Sequence, residues 1–498
     1  MTLQEMILNS LIKNSNKDAV ITDAYTVSYA ELYEKSCLIH SFLSDTCGFK
    51  KIIPLIFTLP EYYIYGLIGV LFSNNIIMPL DSAHPIDKLM EYIKITECLF
   101  VITDKKISAR IIKALDNIGI KIICIEDILL GSAYKAVHGY KDANENDAAY
   151  IYFTSGSTGK SKAVLGRNGS LSHFIKWETE EFNVNDEDTF AQMTSPAFDP
   201  YLRDIFTPLA QGAKIRLVNK NICLVSRLFG NFLHESKITF LHTTPSILKN
   251  LLNYKFPKDH FSRLRYILTA GESLTRNLVI SWYNNYDRHS TLVNIYGPTE
   301  TTLAKVFTRI PYEFSCEIVP VGKPICDAKV YIINDETGIE CNEGDTGEVY
   351  IETDYMTHGY YNDKESPSFG VNQYQKKWYA TGDFGYIKDE DLFITGRKDE
   401  QKKIGGVRID LNEIKNIVLS YTKEKMDDCV ILYEDDLLLA FYISHVELNL
   451  KSIRAFMELK LVPIHIPHKF IKVDHFPVTL NGKTDKNKML RDYYDKVQ

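Results

Sequence analysis

From Tyr152 to Lys162 the chain reads YFTSGSTGKSK, small hydroxylated residues and glycines closed by lysines. Gly156 and Gly159 permit the sharp turns that bring backbone N–H groups close to an anion. Thr154, Ser155, Ser157 and Thr158 add hydroxyl donors, and Lys160 and Lys162 add positive charge. Together they describe a cradle for a polyphosphate. The P-loop pattern G-x-x-x-x-G-K-[ST] is met at Gly159-Lys160-Ser161, but Thr154 stands where its first glycine belongs. The run alone therefore does not make a kinase-type loop. A Ser/Gly/Lys run is also a common solvated turn. Against that stands the apolar segment 148–153, strand-like and feeding directly into it. A glycine-rich turn at the end of a buried strand is a ligand position more often than a linker.

Four further runs carry chemistry. In NIYGPTETT (294–302) Gly297-Pro298 forces a turn, Tyr296 offers an aromatic face and Glu300 a carboxylate of the kind that ligates a divalent cation. The others are YATGD (379–383), TGRKD (395–399) and NGKTD (481–485). Singly, each is compatible with an ordinary turn. Their order and spacing carry more.

These runs must be positioned by regular elements. Strand-like segments at 51–58, 99–103, 121–125, 214–218, 238–241 and 266–269 alternate with amphipathic helical segments such as 29–43 and 85–96, which predicts α/β domains with largely parallel sheets. From Val321 the segments shorten (329–334, 347–352, 378–380, 391–394) and predict antiparallel or barrel-like structure. The charge run 397–403 lies between a strand-like segment and a new α/β pattern (404–419, 429–442), as expected of a domain junction.

Composition excludes several classes. The chain has 498 residues, 45% hydrophobic and 24% charged, enough for roughly two to four domains. The net charge is −7 and no long basic run appears, which argues against nucleic acid as a partner. Nine dispersed cysteines without a CxxC pair predict reduced, buried thiols, a cytoplasmic protein and no structural zinc. The N-terminus lacks signal-peptide architecture. The greasiest segment, 62–72, is too short to span a bilayer and predicts a buried helix, so no membrane association is expected.

Eight motifs in order now carry a resemblance: YFTSGSTGKSK (152–162), FDPYLRDIF (198–206), LTAGESL (268–274), NIYGPTETT (294–302), GEVYI (347–351), YATGDFGY (379–386), GRKDEQKKIGGVRIDLNEIK (396–415) and NGKTDK (481–486). The chain resembles the adenylate-forming superfamily of acyl- and aryl-CoA synthetases and luciferases. Within it the chain is most similar to the amino-acid-activating adenylation domains of nonribosomal peptide synthetases. The free-standing D-alanine–carrier protein ligases are near relatives.

The resemblance implies a large N-terminal domain (1–397) of two α/β subdomains plus a small distorted β-barrel. A small mobile α+β C-terminal domain (400–498) would follow, hinged near Asp399. It implies that a carboxylate attacks the α-phosphate of ATP with Mg2+ as cofactor, and that a thiol then takes the acyl group. A carboxylate is already ionised near pH 7 and needs no general base. By the same resemblance Thr154, Ser155, Thr158 and Lys160 hold the phosphates, Thr299 touches the α-phosphate and Glu300 ligates Mg2+. Asn294 reads the adenine amino group, Tyr296 stacks on the ring, and Asp383 accepts the ribose hydroxyls with Arg397 assisting. Lys483 bridges the reacting carboxylate and the α-phosphate. It leaves the site when the C-terminal domain swings, as the 402–408 segment approaches.

For the substrate, the family's amino-acid members place an aspartate after phenylalanine, matched by Phe198-Asp199, to pair with the ammonium. The other pocket positions carried over are Pro200, Arg203, His242, Leu268, Ala270, Ile295, Leu303, Ala304 and Lys483. Arg203 is the exception in an apolar set. A buried arginine is costly unless it meets an anion. Either Asp204 or a backbone carbonyl satisfies it internally, or it awaits a second substrate carboxylate with His242 as a further donor. Asp-Pro-x-x-Arg with His242 is similar to the pocket of α-aminoadipate-activating enzymes, so an acidic amino acid such as α-aminoadipate or glutamate is expected. The expected thiol partner is the phosphopantetheine of a separate carrier protein, since no carrier attachment pattern follows Lys483. The competing readings are a D-alanine–carrier protein ligase, a CoA ligase for a small carboxylic acid, a kinase, and an ATP-binding protein without catalysis.

Overall fold

The computed structural model describes all residues except 132–134, 156–160, 287–288, 315, 317, 364, 373–375, 399–400, 405–406, 423–424, 427, 435, 478–483 and 498. It is an α/β protein built on two large sheets. The first has six strands in the order Lys121–Cys124, Phe100–Thr103, Ile52–Ile56, Ile76–Pro79, Ala148–Ser155 and Ser161–Arg167. All pairs are parallel except the last, an antiparallel hairpin with Thr154 opposite Lys162. The inner strands are buried on both faces, as parallel sheets require, whereas the edge strand Lys121–Cys124 is only half-buried, with Lys121 exposed.

The second sheet has nine strands. Its order is Lys323–Pro324, Val306–Arg309, Thr291–Tyr296, Tyr266–Thr269, Phe240–Thr243, Thr189–Gln192, Lys214–Leu217, Asp18–Ile21 and Thr26–Ser28. The run from Thr291–Tyr296 to Asp18–Ile21 is parallel, with antiparallel strands at both edges. Helices fill the layers between. The expected helix around 62–72 forms as Pro60–Phe72, with proline at its first turn and eleven buried residues from Glu61 to Phe72. It packs so closely on helix Tyr29–Thr46 that a Cβ on Gly69 would lie 2.6 Å from the Ile39 Cβ.

After Val321 the structure turns antiparallel, as expected. Ala328–Ile333, Gly347–Thr353, Lys377–Lys388 and Phe369–Val371 form one sheet, with Asp391–Arg397 also paired to Lys377–Lys388. Beyond residue 410 lie helix Leu411–Thr422, the three-stranded sheet Asp428–Glu434, Leu437–Ile443 and Lys469–Lys472, and helices Leu450–Glu458 and Lys486–Val497. The two apolar clusters of this region contain no residue before Leu411. Its described ties to the rest include the ion pairs Lys88–Glu413 (2.8 Å) and Lys249–Asp436 (3.0 Å).

No described helix is long and apolar enough to cross a membrane. All nine cysteines are free, but only Cys37, Cys98, Cys223 and Cys429 are buried, whereas Cys316 and Cys326 are exposed. The expectation of uniformly buried thiols is corrected accordingly: these two fall in loops outside the sheets.

Candidate active site

The motif residues converge beyond the carboxyl ends of the parallel strands in the nine-stranded sheet, where open α/β sheets bind ligands. His242 and Leu268 are register partners on adjacent strands, and Leu268 pairs in turn with Val293. Asn294, Ile295 and Tyr296 end the next strand. Leu268, Ile295, Leu303 and Ala304 are buried in the main apolar cluster, and Ala270 packs against it half-exposed. Gly297 lies against the 303–305 backbone: a Cβ there would sit 2.4 Å from the Leu303 carbonyl oxygen and 2.7 Å from Ala304 Cα.

The expected nucleotide residues form a connected set. The Tyr296 hydroxyl donates to Asp383 Oδ2 at 2.6 Å, and Arg397 Nη1 donates to Asp383 Oδ1 at 2.5 Å. Asp383 and Arg397 face each other across paired strands, which places the guanidinium beside the carboxylate. Burial, and then the Asp383 charge, push the Tyr296 phenol far above its ordinary value, so it stays a donor. Asn294 spends its Nδ2 on the Pro320 carbonyl at 2.9 Å. That orientation turns its Oδ1 into the side able to accept from an exocyclic amine.

Thr299 and Glu300 share one short 3-10 turn, Thr299–Thr301. The Thr299 hydroxyl donates to Asp199 Oδ1 at 3.0 Å. Glu300 is fully buried and accepts from the Tyr360 hydroxyl at 2.8 Å. Lys162 lies over the Tyr360 ring, 4.5 Å from its centroid. The Glu300 carboxylate is a hard oxygen donor of the kind Mg2+ takes, and so fits that ion as one ligand beside water and substrate phosphates. Of the phosphate loop, Thr154 closes the strand Ala148–Ser155 opposite Lys162. Thr158 and Lys160 lie outside the described residues, as do Lys483 and Asp399; for Ser155 only its place at the strand end is described.

Of the expected pocket positions, Pro200 and Arg203 sit on helix Pro200–Ala210, with Asp199 as its N-cap and proline at its first turn. Asp199 and Arg203, four residues apart, fall on one face. Asp199 is buried, and no cation is paired with it among the described residues. Burial pushes its carboxyl up to about 6, against hydrogen bonds from the Thr299 hydroxyl and the Leu303 amide that hold it down; the Glu300 charge adds to the rise.

Arg203 is 3% exposed, and its internal partner is neither Asp204 nor a backbone carbonyl. It is Glu178, whose Oε1 lies 3.2 Å from Arg203 Nη2. Asp204 instead takes His242, at 2.7 Å from Nδ1, and the Thr207 hydroxyl donates to Glu178 Oε2 at 2.6 Å. Arg203 Nε and Nη2 nevertheless make no aligned hydrogen bond, nor does His242 Nε2, 3.7 Å from Glu178. Buried polar atoms are rarely left so. Sequence reasoning missed Glu178, although a signal existed. Leu171, Phe174 and Glu178 follow the i, i+3, i+7 spacing of the buried face of helix Asn168–Glu181. It also missed Tyr360 and Lys305. Lys305 is fully buried, and its amine is pulled down to about 7 by burial, with the Arg167 charge adding to the drop.

A family model described as "AMP-binding enzyme" matches residues 10–361. Zwittermicin A synthase ZmaJ of Bacillus cereus is 26% identical over 505 residues, covering 97% of this chain and 94% of that protein. Tyrocidine synthase 1 of Brevibacillus parabrevis is also 26% identical over 94% of this chain, which spans only 43% of that longer protein. Among solved structures, the Vibrio cholerae adenylation domain AlmE in complex with glycyl-adenosine-5'-phosphate superposes with a TM-score of 0.86 at 21% identity, covering 99% of this chain and 98% of that one. The matched residues show that this chain belongs to the AMP-binding enzyme family of adenylate-forming enzymes, similar to amino-acid-activating adenylation domains.

Proposed function

We propose that this enzyme activates an amino acid as its aminoacyl-adenylate, releasing pyrophosphate, and then passes it to the phosphopantetheine thiol of a carrier protein. The observation that carries the reading is Asp199: a buried carboxylate with no protein cation paired to it among the described residues. A substrate ammonium supplies the missing charge. The substrate carboxylate attacks the α-phosphate unaided by a base, so the residues contribute position and charge. Asp383, tied to Tyr296 and Arg397, takes the ribose hydroxyls, and Asn294 reads the base. Thr154, Ser155, Thr158 and Lys160 steady the departing pyrophosphate, and Lys483 bridges the reacting groups. Glu300 would hold Mg2+, which neutralises phosphate charge when bound. The region after Asp399 is the mobile domain; its separate apolar clusters and its charged contacts with the rest support that division.

The substrate side chain ends in a group that accepts hydrogen bonds from Arg203 Nε and Nη2, neither of which makes an aligned hydrogen bond to the described residues although Nη2 is ion-paired with Glu178. An acidic amino acid, glutamate or α-aminoadipate, is the first reading. Glu178 favours a second, a carboxamide side chain. Glu178 and Asp204 already set two carboxylates against Arg203 and His242, and a third would be buried among them. A carboxamide would accept from Arg203 and donate to Glu178 without adding charge. ATP–pyrophosphate exchange across the amino acids, with D-forms, α-aminoadipate and glutamine included, tests both. Exchange driven only by neutral aliphatic substrates and untouched by Arg203→Met would reject them. Absence of any amino-acid-dependent exchange, with CoA ester formed from simple acids, would reject amino acid activation itself.

A further inference from the structure

Helix Ile86–Thr96 faces two parts of the protein at once. Lys88, Glu91 and Tyr92 are spaced i, i+3, i+4 and so share one face. That face grips both legs of the hairpin that carries the glycine-rich run, Ala148–Ser155 and Ser161–Arg167. On the first leg the Tyr92 ring stacks on Phe153, with centroids 3.9 Å apart and planes 11° from parallel. On the second, Glu91 Oε1 accepts from the Ser161 N–H at 3.2 Å, and Lys88 Nζ donates to Ser161 Oγ at 3.4 Å.

The same lysine reaches across to the region beyond residue 410. Its Nζ lies 2.8 Å from Glu413 Oε1 and 3.3 Å from Glu91 Oε2. Glu413 sits in the first turn of helix Leu411–Thr422, directly after strand Val407–Asp410, and that strand lies beside strand Ala148–Ser155. Next to Lys88, Asp87 pairs with Lys460. The two pairs run in opposite senses, the helix offering an acid to a lysine and a lysine to an acid. A shifted docking would bring like charges together, so the pairs specify one register. They are unequal in weight. Asp87 and Lys460 are 57% and 38% exposed, where an ion pair adds little. Lys88 and Glu413 are 21% and 11% exposed, and their attraction is screened less. One ammonium thus ties the phosphate hairpin to the C-terminal region.

We propose that Lys88 is a positioning residue for thioester formation, its pair with Glu413 holding the C-terminal region docked with strand Val407–Asp410 beside the phosphate hairpin. This rests on the reading that the region after Asp399 moves and that the 402–408 segment approaches the site for the second step. In that step the thiol sulfur bonds the acyl carbon, AMP leaves with the electrons of the broken C–O bond, and the thiol proton passes to water. The test compares wild type with Glu413→Gln, Lys88→Met and the double variant. Three rates are read: amino-acid-dependent pyrophosphate exchange, single-turnover transfer from preformed adenylate to pantetheine, and tryptic cleavage within 397–403 of the substrate-free protein. Glu413→Gln is expected to slow transfer about tenfold, the scale of coupling between charges in contact. Exchange should stay within about twofold, and cleavage should quicken about tenfold. Lys88→Met should slow transfer by the same factor and also raise the ATP KM, because Ser161 loses a donor. The double variant should slow transfer no further than Lys88→Met alone. Glu413→Gln carries the test by itself if the methionine variant does not fold. Exchange and transfer slowed equally by Glu413→Gln, or transfer and cleavage both unchanged, would mean that the pair only supports the fold, and the proposal is overturned. If wild type shows no exchange with any amino acid, the functional reading fails first and takes this proposal with it.

Discussion

The raised carboxyl of Asp199 ties stability to pH in a way that can be measured. Burial raises its carboxyl from an ordinary 3.8 to about 6. Between those values the folded protein holds a proton that the unfolded chain has released. The unfolded state therefore binds fewer protons, and stability falls as pH rises through the window. The contribution is fully present below about pH 4 and gone above about pH 6. The difference between about 6 and 3.8, at about 1.4 kcal/mol per tenfold change in proton affinity, is about 3 kcal/mol in all. Close to half of it, about 1.4 kcal/mol, is lost between pH 5 and pH 7.5.

Asp199→Asn removes the titration while keeping an acceptor for the Thr299 hydroxyl. Unfolding of the substrate-free variant and wild type should be compared at each pH, so that other titrating groups cancel. The asparagine protein should gain about 1.4 kcal/mol on wild type in going from pH 5 to pH 7.5. Its amino-acid-dependent exchange should fall by two orders of magnitude or more, since truncating one partner of a buried charge pair costs about 2–5 kcal/mol. In wild type, kcat/KM for the amino acid should rise with pH up to about 6, and the variant should lack that limb. Parallel stability curves for the two proteins across this range would refute the assignment of a raised carboxyl to Asp199.

Arg203→Met strands the Glu178 carboxylate in the core and should cost about 3–5 kcal/mol in unfolding free energy. Adding Glu178→Gln should recover most of it, and a single variant as stable as wild type would mean the pair is not organised as described. Tyr296→Phe deletes the hydroxyl 2.6 Å from Asp383 and should raise the ATP KM about 10- to 100-fold with amino acid KM unchanged. Unaltered ATP kinetics would separate Asp383 from nucleotide binding. Gly297→Ala drives a Cβ to 2.4 Å from the Leu303 carbonyl, where backbone must yield. About 1–3 kcal/mol of destabilisation is expected, read from the unfolding midpoint, with a raised amino acid KM.

What the sequence disclosed and what it hid divide along a physical line. Strand 266–269 was legible to the residue, because a short apolar run bounded by turns is a local signal. The strand order was not: Asp18–Ile21 lies beside Lys214–Leu217, almost two hundred residues on, and no local pattern names a partner. The site divides in the same way. Thr299 and Glu300 sit in one short turn and Asp383 on a strand paired with Arg397, each within a run of recognisable residues, so they were legible as linear motifs. Glu178 and Lys305 belong to no such run. Each is a charge set where the apolar pattern asks for core: Glu178 on the buried stripe of its helix, Lys305 between Ala304 and Val306. A charge at a core position breaks the agreement between local pattern and fold, and such breaks are expected at functional sites. Glu178 is paired with Arg203, and Lys305 donates to the Thr302 carbonyl. Residues that line a pocket are constrained by the ligand, but the buried charges behind them are constrained by partners distant in sequence. A residue-by-residue reading of the expected pocket positions alone therefore finds Asp199 and Arg203 but not Glu178, the buried carboxylate paired with Arg203.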